Sequence, residues 1–189
     1  MKYFTYKLVS AANNWINQSD KQLNLAENRF WKTVDDYNLS LDRLKPRISI
    51  SAWQFFRHGF AETGLHDGRL LTFNIGDGLN FVTDGKVPFR LNKQGVGACI
   101  EILNYEQTFH HVFELRGLKN ATMNIVLEEI TGNKCIGDIF TYELTALDNE
   151  YLRLGFLFAK GAEIEISFRK LVYKRHHLKR QYDLNDIYC

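Results

Sequence analysis

The chain of 189 residues is short of the residues that usually advertise a special environment. It has two prolines and three cysteines, and its 24 basic residues are nearly matched by 22 acidic ones, for a formal charge of +2. So small a net charge excludes a surface built as a whole for phosphate backbones, and leaves room only for a local basic site. Cys99, Cys135 and Cys189 are odd in number and widely spaced, which suits neither a disulfide framework nor a paired-cysteine zinc site. No stretch of about 18 apolar residues is present, and the start MKYFTYKLVSAANNW has neither an apolar run nor a small-residue cleavage pattern. These absences lead to the expectation of a cytoplasmic protein that does not enter a membrane.

The apolar content, 45 % with 14 Phe, 9 Tyr and 3 Trp, is ample for a core in one domain spanning 1–189. The chain divides into a helical part (1–62), a β part (63–175) and a C-terminal tail (176–189). Leu8, Ala11, Ala12 and Trp15 share a helical face, predicting a first helix over about 2–17. Ser19 followed by Gln22 is a capping box. Beyond it Leu23, Ala26, Phe30, Val34, Tyr37, Leu41 and Leu44 recur at steps of three and four, predicting a helix over about 20–44 that Pro46 ends. A third helix is expected over about 51–60, with Ser51 as its cap.

After Gly64 the period falls to two. Strands are expected at about 69–75, 97–105, 109–116 and 122–129, with residues 76–96 as loop and Asp84-Gly85 as its hairpin turn. From 138 to 173 three alternating runs are separated by Asp148-Asn149-Glu150 and Ala159-Lys160-Gly161, the pattern of a three-stranded antiparallel meander whose strands are each half buried. Helices first and strands after give an α+β fold, with the helices packed on a mainly antiparallel sheet or sandwich over about 69–173.

Chemistry-bearing residues are present, but no set is complete. In GLHDGRL, His66 and Asp67 could centre a hydrolase. Neighbours on an extended chain point apart, however, so the stretch reads first as a turn in which Asp67 accepts local bonds and Gly68 supplies positive φ. No phosphate loop or calcium loop matches, and the doublets His110-His111 and His176-His177 lack the spacing of a zinc pair. Catalytic, cofactor and metal residues are therefore not assigned, and no cofactor is expected. Residues 168–182 concentrate positive charge. Lys174, Arg175, Lys179 and Arg180, interleaved with aromatic rings, are the candidates for nucleic-acid binding over 169–180. Glu163 and Glu165 share a strand face, which reads as a solvated surface with Arg153 or Arg169 as cross-strand partner.

The segments MKYFTYKL, LHDGRLLTFNIGD and DIFTYELTALDNEYLRLGFLFAKGAEIEISFRKL resemble small bacterial proteins, among them immunity proteins encoded beside polymorphic or contact-dependent toxins. The resemblance implies a cytoplasmic protein without chemistry of its own that binds a toxin domain and occludes it. Were the toxin a nuclease with a basic cleft, Glu128 and Glu129, or Glu163 and Glu165, would be the acidic docking residues. A nucleic-acid-binding module is the alternative, and the oligomeric state is left open by the sequence.

Overall fold

The computed structural model describes residues 1–13, 19–58, 64–77, 95–124 and 138–178. They form an α+β fold. Helices α1 (Tyr6–Asn13), α2 (Asp20–Leu44) and α3 (Ile50–Arg57) precede strands β1 (Arg69–Asp77), β2 (Val96–Leu103), β3 (Phe109–Asn124), β4 (Ile139–Ala146), β5 (Leu152–Phe158) and β6 (Glu163–His177). The six strands make one antiparallel sheet in the order β1-β2-β3-β6-β5-β4, so two meanders are joined through β3 and β6. No helix among the described residues is long and apolar enough to cross a membrane.

The apolar stripe of α2 is the one expected, with Val34, Tyr37, Leu41 and Leu44 buried and Leu23, Ala26 and Phe30 half-buried. At its start Gln22 Oε1 accepts the Ser19 N–H at 3.1 Å and the Ser19 hydroxyl at 3.0 Å. A 3₁₀ turn over Lys45–Arg47 follows, where Pro46 ends the α-helical hydrogen bonding. Helix α3 is capped two residues earlier than expected. Ser49, extended at φ −66° and ψ 153°, accepts the Ala52 N–H at 3.2 Å, while Ser51 only contacts the Ser49 hydroxyl at 3.0 Å. The core face of α3 is Ala52, Phe55 and Phe56. Trp53 is half-buried, with its indole N–H given to Asp42 at 3.2 Å, and Phe60 lies outside the described residues. Helix α1 begins at Tyr6, not at residue 2, because the backbone before it is engaged elsewhere.

That engagement corrects the expectation of half-buried strands. Thr141 through Thr145 on β4 are all buried, Glu143 at 1 % exposure. Glu143 accepts the backbone N–H of Lys2, of Tyr3 at 2.8 Å and of Phe4 at 3.1 Å, so the first residues lie against the sheet. Glu143, Gly155 and Glu165 stand side by side on β4, β5 and β6. A Cβ at Gly155 would lie 3.3 Å from Met1 Cγ and 3.6 Å from Glu143 Cγ, so the glycine leaves room for the segment to lie down.

The two strands expected at 109–116 and 122–129 are one strand, β3, running to Asn124, with residues from 125 outside the described set. Within the gap expected between 116 and 122 the strand runs on through a bulge: the pairing with β6 shifts between Leu118 and Asn120, so Lys119 is the extra residue, two positions after Gly117 at φ +66°. Strand β6 continues past 173 to His177, because β3 supplies a partner for each residue, Phe109 facing His177. Residues 76 and 77 also pair within β1, so the β1–β2 connection is shorter than expected; Asp84-Gly85 lies outside the described residues. One hydrophobic cluster spans all three helices and the sheet.

The two edges of the sheet are treated differently. At β4, the N–H of Leu144 is accepted by the Tyr37 hydroxyl at 3.1 Å, and the turn at 65–68 covers the start of the strand. Asp67 donates its N–H to Ile139 O at 2.8 Å, Ile139 returns one to Gly68 O at 2.8 Å, and His66 Nδ1 lies 2.8 Å from Phe140 O. The start of β1 thus meets the start of β4, and the sheet closes on itself at that end. Along the rest of β1, no strand among the described residues pairs with the outer edge.

Candidate functional site

GLHDGRL is a turn with a structural task. Asp67 adopts φ +56°, so the residue with positive φ is the aspartate and not Gly68 as the sequence suggested. Gly68 is needed for a different reason: a Cβ there would lie 2.9 Å from both Leu103 O and Leu65 O. Because the chain bends at Asp67, the side chains that an extended chain would separate approach, with His66 Nε2 at 3.7 Å from Asp67 Oδ2 and both more than half exposed. Arg69 pairs with Asp138 at 3.3 Å across the same junction. The imidazole spends Nδ1 on the Phe140 carbonyl and helps to fasten the sheet edges.

Glu163 and Glu165 both face the N-terminal ammonium of Met1, Glu165 at 3.1 Å, and Arg153 lies 3.7 Å from Glu165. Burial lowers the pKa of that ammonium, and the bonds and charges of Glu163 and Glu165 outweigh it, so the group titrates above its ordinary range. Arg169, the other expected cross-strand partner, pairs instead with Glu150 at 2.7 Å. Glu128 and Glu129 lie outside the described residues, as do Lys179, Arg180, Cys135 and Cys189. Of the described basic candidates, Lys174 is engaged by Glu114, which also holds Arg116 at 3.2 Å, and Arg175 rests over the Phe109 ring at 4.6 Å. Cys99 is a buried free thiol whose pKa burial pushes up to about 11, which keeps it protonated and unreactive.

Sequence doublets hid the histidine contact that matters. His110 and His176 face each other across β3 and β6 with ring centroids 6.0 Å apart, and His110 Nε2 lies 2.9 Å from Glu101 Oε2. Among the described residues no group of three His, Cys, Asp or Glu is placed to hold a metal ion.

His111 sits differently. It is fully buried against Phe55 and Tyr173, its Nδ1 2.9 Å from the Tyr173 hydroxyl and its Nε2 without a hydrogen-bond partner among the described residues. Burial, then the charges of Arg175 and His110, lower its pKa to about 3, so it is neutral at physiological pH. Burial likewise holds the Tyr173 phenol well above its ordinary range.

Next to this pair a cleft of about 430 Å³ opens between α3 and β6, lined by Ser51, Gln54, Phe55, His58, Tyr173 and Arg175. Its wall is aromatic: Phe55 and Tyr173 stack with centroids 4.6 Å apart and planes 28° from parallel. The sequence places Arg175 in the basic stretch 169–180 and gives no signal that joins it to Ser51, Gln54 and His58, which only the packing of α3 on β6 brings near. Protein-family models, curated proteins and solved structures alike gave no match to this chain.

Proposed function

We propose that the protein is a non-enzymatic binding protein that takes a protein partner at the open edge of β1, and that the partner is a toxin domain which it neutralises by occlusion. The observation that carries the reading is the contrast between the sheet edges. The chain spends Tyr37, His66, Asp67 and Gly68 on covering β4, yet among the described residues no strand covers the outer edge of β1, where Asn74 and Ile75 are exposed, and Val96 is exposed on the neighbouring strand. An uncovered strand edge with apolar side chains is a template for an added strand, where main-chain bonds give affinity and alternate side chains give specificity. The immunity-type role rests on the resemblance of three segments, and the acidic residues expected to dock a toxin are partly committed within the chain, since Glu163 and Glu165 hold Met1.

Affinity capture with the tagged full chain, from a lysate of its own cells at low and high salt, tests the reading. A single protein retained at high salt is the expected result. Nucleic acid that is lost as salt rises would instead favour the stretch 169–180, whose phosphate contacts must weaken as counterions compete.

A further inference from the structure

The cleft between α3 and β6 has a chemistry of its own, independent of the β1 edge. Its one full charge, Arg175, pairs with no carboxylate among the described residues, whereas Arg153, Arg169 and Lys174 on the same sheet each have one. Among the described residues no acidic side chain lines it. Ser51, Gln54 and His58 bring a hydroxyl, an amide and an imidazole to the rim, and Phe55 and Tyr173 form an aromatic wall. A volume of about 430 Å³ is in the range of sites that enclose small organic ligands.

The buried His111 adds a donor. A neutral imidazole carries one N–H. Either tautomer leaves Nε2 without a partner among the described residues, and leaving a lone pair there costs less than leaving a buried N–H donor. Placing it on Nδ1 lets it donate to the Tyr173 oxygen at 2.9 Å. The hydroxyl, acting as acceptor there, then keeps its own proton for another acceptor, and Tyr173 lines the cleft.

We propose that this cleft binds a small organic anion, a planar aromatic body bearing a carboxylate or a phosphate monoester. Arg175 supplies the counter-charge, Phe55 and Tyr173 the wall, and the Tyr173 hydroxyl, held by His111, a directed donor. A bidentate guanidinium suits either anionic group.

Calorimetric titration of the full chain with 2-naphthyl phosphate, 2-naphthoate, inorganic phosphate and 2-naphthol tests this. Both aromatic anions should bind, and the neutral naphthol and the bare phosphate should each bind at least about tenfold more weakly, since each lacks one half of the recognised chemistry. Arg175→Gln, at an exposed position and with an unchanged melting curve, should weaken both anions by about tenfold or more, and Tyr173→Phe by about fivefold. In NMR spectra the anions should shift the Gln54 side-chain amide and the Arg175 Nε–H. The proposal is overturned if neither anion binds at about 10 mM, a concentration matching only the weakest millimolar affinities. Equal binding by naphthol, equal binding by Arg175→Gln, or shifts centred away from α3 and β6 would overturn it as well.

Discussion

Replacing Glu143 should loosen the whole N-terminal segment, and the size of the effect follows from its three acceptor bonds. Oε1 receives the Lys2 N–H, and Oε2 receives those of Tyr3 and Phe4, at a site 1 % exposed. In Glu143→Gln one oxygen can still serve Tyr3 and Phe4, but an amide NH₂ then faces the Lys2 N–H, donor against donor. Losing one hydrogen bond to a charged group and leaving a buried donor unpaired costs about 2–3 kcal/mol. Glu143→Ala loses all three bonds and opens a void, for about 4 kcal/mol or more. At roughly 2–4 °C per kcal/mol for a chain of this size, the glutamine variant should melt about 4–12 °C lower. Urea unfolding gives the free energy, and hydrogen exchange at Lys2, Tyr3 and Phe4 localises it: these amides should lose protection first. A glutamine variant within about 0.5 kcal/mol of wild type, the range of ordinary surface changes, with those amides still protected, would refute the reasoning.

Gly68→Ala should cost about 2 kcal/mol or more, because the new Cβ meets two backbone oxygens that cannot swing away. Asp67→Ala should cost about 1 kcal/mol and Asp67→Gly nearly nothing, as a left-handed backbone demands; thermal melts of the three variants decide it. Stability should also fall on acidification. The unfolded chain protonates His111 near pH 6.5 while the folded one resists to about 3, so the unfolded state binds more protons across that window. Between pH 7 and 5 this amounts to roughly 2 kcal/mol, and His111→Gln should show a correspondingly smaller loss in urea melts. Equal losses in the two proteins would sink the assignment.

What sequence could show depended on how local each interaction is. The stripe of α2 and the alternation of β4, β5 and β6 are written in neighbouring residues, so their periods are visible before folding. The cap lies at Ser49, two residues before the expected Ser51, because both serines suit a cap by type and only the extended backbone at Ser49 selects it. The gap expected between 116 and 122 is a bulge inside one strand, because an irregular step and a true break interrupt the two-residue alternation alike. Glu143 looked like an outward-facing residue: its partners are backbone N–H groups 139 to 141 positions away and leave no trace in side-chain patterning. The cleft was hidden in the same way. Ser51, Gln54 and His58 follow a helical spacing, but Arg175 joins them only through the register of β6 against β3 and the docking of Phe55 on Tyr173.

The claim that the open edge of β1 is where a partner docks is tested most directly by Ile75→Lys, which puts a charge at a position already 47 % exposed. The variant and the wild type are compared in melting temperature and in capture of the protein retained at high salt. The account predicts an unchanged melt and at least a tenfold loss of captured partner, because a lysine on a strand edge opposes the addition of another strand. Full capture by a folded Ile75→Lys protein would contradict it.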